Sequence, residues 1–426
     1  MSGTGRSISF TFAAAAAAVV AVFPAAGAMA HSHPAGYSRA RAATAAGGTA
    51  KQDALRGPHV FGEPTASSGG THGWLPAVGS ARAARAAAGP GWRLVHQFGV
   101  CESDGALAVT ATSASNAWAT GQWSPFSCGG PYLLIAHWDG TRWSVLRSPA
   151  GFAADVGHAV AALSASYAWI FANNSALLWQ NNRWRTFQLA TGATINSAVA
   201  FTTSNAWGFG QRPSSTGQVP YAVHFNGQRW SAVTIPVLPQ GTASPAPGNI
   251  WAVGPLASAT GQPIPQPYAL AHWTGRWQTI PFPNLHLPPG EGVDQASVVA
   301  DNAAGAWIAG DVGTRSNPDM SGVLLHWTGS SWVNVTIPFQ TTGLGPLSHD
   351  GHGGLWMYSI CNSCVNPDMV HYNSAGQWSL ASIPGAYWAT ATAMRLIPGT
   401  DSVWASAILV GGVGGDTSGG MLKYGP

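Results

Sequence analysis

The apolar and polar positions of residues 91–426 alternate in short segments separated by Gly, Ser, Thr, Asn and Asp. Small, β-branched and aromatic residues fill these segments, which predicts strands, and the separating residues favour tight turns. The first unit shows the pattern in full: Asp139-Gly140 forms a predicted hairpin turn between its third and fourth strands. Its four predicted antiparallel strands cover residues 106–112, 117–121, 132–138 and 143–147.

This unit recurs seven times, at intervals of roughly 40 to 55 residues, a period typical of β-propeller blades. The second strand of each unit carries a signature tryptophan, at Trp118, Trp169, Trp207, Trp251, Trp307, Trp356 and Trp404. The third strand ends in a pair whose second member is aromatic, at residues 137–138, 178–179, 224–225, 272–273, 326–327, 371–372 and 423–424. The sequence therefore predicts an all-β fold, a seven-bladed β-propeller.

A closing tryptophan begins the fourth strand of six units, at Trp143, Trp184, Trp230, Trp277, Trp332 and Trp378. The seventh unit stops at Pro426 without one. The segment that begins at Gly91 and Trp92 has the sequence of such a fourth strand without its turn. We expect this N-terminal strand to pair with the C-terminal strand in the last blade and so close the ring.

The regular tryptophans are predicted to be packing residues. A buried tryptophan removes about 150–250 Å² from water, which is worth up to about 4–6 kcal/mol. Five histidines occupy one repeated position on the third strand, at His137, His224, His272, His326 and His371. Because blades lie apart around a ring, these side chains cannot share a metal, and each is expected to make a local hydrogen bond.

Residues 1–30 have the features of a secretory signal peptide. A single Arg6 precedes an apolar run, and Ala28-Met29-Ala30 supplies a small-x-small cleavage site. No later segment approaches the ~20 apolar residues of a spanning helix. We expect a secreted, extracellular protein with no transmembrane segment after cleavage; an uncleaved anchor is the alternative.

Residues 31–90 are rich in Ala, Gly and Ser and lack apolar periodicity, which is typical of a disordered linker. Seven basic and two acidic residues precede Gly91, so the positive charge of the chain, +3 overall, comes from this part. The slightly acidic propeller gives no support to a nucleic-acid partner. The basic segment is expected to be a solvated spacer, with contact to an anionic cell wall or membrane as the alternative, and we expect a monomer.

An even number of cysteines in an exported chain favours disulfides. The four are Cys101, Cys128, Cys361 and Cys364. Because Cys101 and Cys128 fall in connections on one predicted end of the propeller, we expect a Cys101–Cys128 bond and a Cys361–Cys364 bond. A redox or metal role for the single CxxC spacing is the alternative.

The stretch His-Trp-Asp-Gly-Thr-Arg-Trp at residues 137–143, with its relatives, resembles the secreted tryptophan-rich β-propeller repeat proteins of high-GC bacteria. It is also similar to kelch and Asp-box propellers. The chain departs from the Asp-box pattern because Asp139 directly precedes Gly140. Kelch blades carry a pair of glycines after their first strand, and only Gly353-Gly354, before Trp356, matches that position. The resemblance implies a fold and does not imply one activity.

Connections alternate between the two ends of a propeller. One end, the plain face, carries the short turns between strands one and two and between strands three and four. The other end, the loop face, carries the connections between strands two and three and between blades, including long predicted loops at 211–220, 255–267, 311–322 and 411–420. Loops on a rigid scaffold usually carry binding. The candidate binding residues on this face are Trp123, Arg212, Tyr268, His286, Glu291, Asp294, Arg315 and Trp388.

The sequence contains no GxSxG, HExxH or phosphate-binding loop, so we assign no catalytic residue and expect neither a cofactor nor a metal. The metal-like run at residues 349–352 is expected to be a turn. Low charge and abundant polar residues suit a neutral ligand. We therefore favour a non-catalytic binding or scaffold protein that recognises a glycan, a peptide or a cell-surface protein. The alternatives are a glycosidase or lyase with an axial site containing Glu291 or Asp294, and an envelope structural part.

Overall fold

The computed structural model describes residues 91–99, 105–123, 132–215, 217–257, 267–314, 317–360, 368–383, 388–411 and 416–426. These residues form seven four-stranded antiparallel sheets, each of which is one blade. Among them, no helix has the length and apolar character that a membrane crossing needs. The predicted all-β, seven-bladed propeller is confirmed.

The strands follow the chain from the inner to the outer edge of each blade. Blade one comprises β2 (Gly105–Ser113), β3 (Asn116–Trp123), β4 (Tyr132–Trp138) and β5 (Trp143–Val145). Blade two comprises β6 (Gly157–Ser164), β7 (Tyr167–Ala172), β8 (Ser175–Gln180) and β9 (Arg183–Gln188). Blade three comprises β10 (Thr194–Thr202), β11 (Asn205–Ser214), β12 (Gly217–Phe225) and β13 (Trp230–Val233). Blade four comprises β14 (Gly241–Ala246), β15 (Asn249–Pro255), β16 (Tyr268–Trp273) and β17 (Trp277–Pro281).

The remaining three blades have the same order. Blade five comprises β18 (Gly292–Ala300), β19 (Ala306–Thr314), β20 (Asn317–Trp327) and β21 (Trp332–Asn334). Blade six comprises β22 (Gly343–His349), β23 (Leu355–Ile360), β24 (Asp368–Tyr372) and β25 (Trp378–Ser382). Blade seven comprises β26 (Trp388–Leu396), β27 (Val403–Gly411), β28 (Asp416–Tyr424) and, as its outer strand, β1 (Trp92–Phe98).

The ring closes by pairing between the first and last strands of the propeller, as predicted. Strand β1 runs antiparallel to β28, with Trp92 opposite Tyr424. The Trp92 ring is buried and meets Trp356 of blade six edge-on at 5.5 Å between ring centroids. Trp143 makes the same edge contact with Trp404 at 5.2 Å. Trp92 is therefore the closing tryptophan that the seventh unit lacks.

The core consists of hydrophobic clusters between adjacent blades, and each signature tryptophan belongs to a different one. Trp118 lies between blades one and two, and Trp404 lies between blades seven and one; both rings are 0% exposed. Trp307 keeps partial exposure. The tryptophan repeat is thus the packing between blades, as its regular placement predicts.

Glycine three residues after the signature tryptophan lets the inner strand approach closely. A Cβ atom on Gly121 would lie 2.1 Å from the carbonyl oxygen of Gly105, and one on Gly210 would lie 1.9 Å from that of Thr194. The inner strands β2 and β10 are bulged beside these glycines. Only glycine leaves room for this backbone contact at a bulge.

Two of the predicted loops on the loop face are extended hairpins. The β11–β12 ladder continues until Ser214 opposes Gly217, and the β19–β20 ladder continues until Thr314 opposes Asn317. The sequence pattern predicted long loops at 211–220 and 311–322, which is wrong because strands β11, β12, β19 and β20 extend into these segments. Cross-strand pairing satisfies the backbone donors and acceptors there, so the ladders extend despite the polar composition.

Candidate functional site

On the plain face, a histidine that contacts the signature tryptophan and hydrogen-bonds an Asn or Asp side chain recurs in five blades. In blade four, the His272 ring stacks on the signature Trp251 at 3.6 Å, and its Nε2 lies 2.8 Å from Asn249 Oδ1. The predicted local hydrogen bonds of all five histidines are confirmed: His137 pairs with Asn116, His224 with Asn205, His272 with Asn249, His326 with Asp301 and His371 with Asp350. These histidines are structural parts of the plain face.

The metal-like run on this face is a turn, as expected. Asp350 Oδ1 accepts hydrogen bonds from the backbone N–H groups of His352 and Gly354, at 2.7 and 2.8 Å. His349 Nε2 donates to the carbonyl oxygen of Ala300 at 2.7 Å, whereas the His352 ring faces Asp401. Across the part of the chain that the structure describes, no three His, Cys, Asp or Glu side chains converge on one point.

On the loop face, the structure joins two of the predicted site residues, Tyr268 and Asp294. The Tyr268 hydroxyl donates a hydrogen bond to the Asp294 carbonyl oxygen. Gln240 Nε2 donates to the Tyr268 hydroxyl at 2.8 Å and to the same carbonyl at 2.9 Å, while Gln240 Oε1 accepts from the Ala296 N–H at 2.9 Å. This hydrogen-bonded group connects blades four and five, and with Asp311 we name it the loop-face clasp.

Asp311 is the buried acid of the clasp. Asp311 is 2% exposed, and its Oδ1 accepts a hydrogen bond from the Gln295 N–H at 2.8 Å. Burial raises the pKa of Asp311 to about 6, and the negative charge of Asp294 adds to this rise. Blade six covers the residue, since a Cβ atom on Gly343 would lie only 2.9 Å from Asp311 Cβ. Burial also raises the pKa of the Tyr268 hydroxyl.

The connection between β17 and β18 links the two sides of the clasp and carries two further predicted residues. His286 is exposed, has a φ of 52°, and donates its backbone N–H to Asn284 Oδ1 at 2.9 Å. Glu291 is half-buried at the end of the connection, where its N–H donates to the Pro288 carbonyl at 3.1 Å. This connection therefore places exposed polar groups beside the clasp.

The other predicted site residues are dispersed. Arg212 is exposed on the β11–β12 hairpin in blade three. Trp123 is half-buried at the end of β3 and packs against the cluster between blades seven and one. Several predicted residues lie outside the described part of the chain: Arg315, the Trp388 side chain, Cys101, Cys128, Cys361 and Cys364. The two proposed disulfides stay predictions.

The sequence pattern did not identify Gln240 or Asp311 as members of a site. Asp311 had a signal, because it interrupts the otherwise small and apolar run that begins at Ala306 in β19. Gln240 had no sequence signal of a site, since polar residues beside a glycine are common in the turns that precede strands. Gln240 makes its hydrogen bonds across the boundary between blades four and five, and Asp311 is covered by blade six. Local patterning does not reveal contacts between blades.

Comparison with known proteins adds evidence for the fold. No family model matches the chain, and no curated protein matches it. Among solved structures, the chain is similar to YCF48 bound to D1 peptide, with a TM-score of 0.54 and 12% identity over 80% of this chain and 96% of that one. It is also similar to Kuenenia stuttgartiensis hydrazine synthase, with a TM-score of 0.50 and 8% identity over 71% and 92% of the two chains. At such identities the likeness shows the propeller fold alone.

Proposed function

We propose that this protein is a secreted, non-catalytic β-propeller binding protein that holds a glycan or a protein partner on its loop face. The observation that carries the proposal is the difference between the two ends. Repeated Asn/Asp–His–Trp contacts fasten the plain face. The loop face instead presents exposed polar side chains on hairpins and connections that the blades hold in place.

The β11–β12 hairpin illustrates this rigidity. Its ladder continues beyond Arg212 to the pair Ser214 and Gly217. The hairpin also lies on the connection between β9 and β10, because a Cβ atom on Gly192 would be 2.7 Å from Pro213. Arg212 is thus an exposed cation on a supported element, a suitable position for contact with a partner.

A peptide partner has support from a similar fold. The propeller YCF48 is described as bound to a D1 peptide. In this proposal the partner is outside the cell, which the signal-peptide features of residues 1–30 and the resemblance to secreted tryptophan-rich propellers support. A glycan remains within the proposal because the face is rich in neutral polar groups.

The alternative is a carbohydrate-active enzyme, which needs two carboxyl groups facing the substrate about 5–9.5 Å apart. Asp294 and Asp311 are the carboxylates that interact at the loop face, and the pKa of Asp311, about 6, would suit a general acid. However, Asp311 is 2% exposed and covered by blade six, so it does not face a substrate. This burial favours binding over hydrolysis.

The test is a selection with the purified chain against a glycan array and a displayed library of random peptides. We expect enrichment of ligands whose affinity falls at least tenfold in Arg212→Ala or His286→Ala. Arg229→Ala is the matched control, because Arg229 is an exposed cation of the same blade on the plain-face turn between β12 and β13. Failure to enrich any ligand, or a loss of affinity in Arg229→Ala equal to that in the loop-face variants, refutes binding on the loop face. Turnover of chromogenic or polymeric glycans would instead support the carbohydrate-active enzyme.

A further inference from the structure

The inner strands of the seven blades surround a central channel. They are made mostly of small and apolar residues, and within the seven strands as described, Arg395 on β26 is the single Lys or Arg. It lines a cavity of about 210 Å³. Of the described residues that line the cavity with Arg395, the polar ones are Thr110, Thr242 and Ser244, and the others are alanines and Val199.

Arg395 has no counterion among the residues that the structure describes. It makes no hydrogen bond or ion pair with any of them, and none of the described residues that line the cavity carries a carboxylate. Burial among the blades lowers the pKa of the guanidinium, which nevertheless stays charged at any physiological pH. Because the side chain keeps partial exposure to the channel, a solute can reach it. A charge surrounded by protein without a partner is costly, and a bound anion would offset that cost.

The cavity lies toward the plain face and is separate from the loop-face clasp. Arg395 is paired with Trp404, Thr110 with Trp118 and Ala243 with Trp251, so the cavity is level with the signature tryptophans. Those tryptophans lie next to the short plain-face turns. A ligand here would therefore bind independently of a partner on the loop face.

We propose that this cavity binds a small monocarboxylate through Arg395. A guanidinium presents parallel donors that match the two oxygens of a carboxylate. Arg395 is the lone cation among the described residues that line the cavity. One negative charge neutralises it, which favours a carboxylate over a doubly charged phosphate.

The other residues that line the cavity limit the size and polarity of the rest of the ligand. Thr110 contributes a hydroxyl for which no intramolecular hydrogen bond exists among the described residues, and the alanine methyl groups provide apolar contact. The Ser244 hydroxyl already has intramolecular partners, since it lies 3.0 Å from the Ala246 carbonyl oxygen and 2.5 Å from the Asn249 carbonyl oxygen and donates its single hydrogen there. At ~30 Å³ per water, the cavity holds roughly seven waters, below the ~300 Å³ of drug-sized pockets. A short hydroxy acid fits these walls.

The test is isothermal titration calorimetry of the purified full chain with sodium lactate. We expect saturable binding whose affinity falls at least tenfold in Arg395→Gln. Arg229→Gln is the control, since it removes the same charge from the outer surface, and it should bind as the wild type does. Thr110→Val keeps the cation and the side-chain volume; a several-fold loss is expected there and gives a second readout should Arg395→Gln fail to fold.

Two further titrants define the ligand class. Inorganic phosphate should bind more weakly than lactate. If glucuronate binds as tightly as lactate, the natural ligand is an acidic sugar. If glucuronate binds more weakly than lactate, the natural ligand is a small free carboxylic acid. Absence of lactate binding, equal binding by Arg395→Gln, or tighter binding of phosphate would each overturn the proposal. Arg212→Ala should bind lactate normally, which separates this site from the loop face.

Discussion

Replacement of Asp311 by Asn should stabilise the propeller at neutral and alkaline pH. The folded state holds this carboxyl at 2% exposure, where burial raises its pKa from 3.8 to about 6. A raised pKa means that the folded protein binds the proton more tightly than the unfolded chain. Stability is therefore highest below pH 4 with respect to this group, falls as pH rises from 4 to 6, and stays reduced above pH 6. Asparagine cannot ionise and retains an oxygen to accept the Gln295 N–H.

The size of the effect follows from the two pKa values. A difference of about 2 pKa units corresponds to about 3 kcal/mol at 1.36 kcal/mol per unit, as an upper value. With an unfolding entropy of ~2.1 cal/mol/K per residue, a propeller of roughly 330 residues changes its Tm by about 4 °C for that free energy. The advantage of Asp311→Asn should thus grow from nothing near pH 4 to several degrees near pH 8.

Thermal denaturation of the wild type and Asp311→Asn, measured every half pH unit between 4 and 8, checks this expectation. Asp139→Asn is the contrasting control. Asp139 is exposed, and hydrogen bonds from Thr141 and Arg142 lower its pKa to about 2, so its contribution to stability is lost only as pH falls below about 4. It should show no gain at pH 8. Parallel Tm profiles for the wild type and Asp311→Asn would refute the reasoning.

Three other changes test the ring. Trp92→Ala should lower the free energy of unfolding by about 3–5 kcal/mol in guanidinium denaturation, because it removes the closing ring that packs on Trp356; a loss below 1 kcal/mol would contradict the closure by this strand. Gly210→Ala should cost at least about 1–3 kcal/mol in the same assay, because its Cβ would overlap a backbone carbonyl. Asn249→Ala should lower the free energy of unfolding by about 1–3 kcal/mol and with it the Tm, since it leaves the 8% exposed His272 without its side-chain partner. An unchanged Tm would show that the contact between Asn249 and His272 does not stabilise the propeller.

The blades could be predicted from the sequence because each repeats the same local physical requirements. Strand β4 has the predicted bounds, Tyr132–Trp138, and the Asp139-Gly140 turn follows it. Gly140 has a φ of 98°, which explains the glycine at that hairpin. The closure could also be predicted, since the seventh unit lacks a closing tryptophan and Trp92, before the first unit, supplies one.

The sites could be predicted only in part, because they join residues from different blades. Tyr268 and Asp294 were found by their place on the loop face, yet the side chain that connects them, Gln240, has no distinguishing sequence context. Arg395 is a single cation in a strand of otherwise small and apolar residues, and only the closed ring shows that it faces a channel. The extent of the β11–β12 and β19–β20 hairpins likewise depends on pairing between strands, which composition does not determine.

The path of the chain at closure is consistent with a partner on the loop face. Trp92, the first residue of β1, opposes Tyr424, which in turn opposes Val403 beside the plain-face turn between β26 and β27. The start of β1 therefore lies at the outer edge of the ring on the plain face. Gly91 therefore lies at the end of the propeller opposite the exposed Arg212 and His286. A partner on the loop face, as proposed above, would meet the propeller at the end away from Gly91.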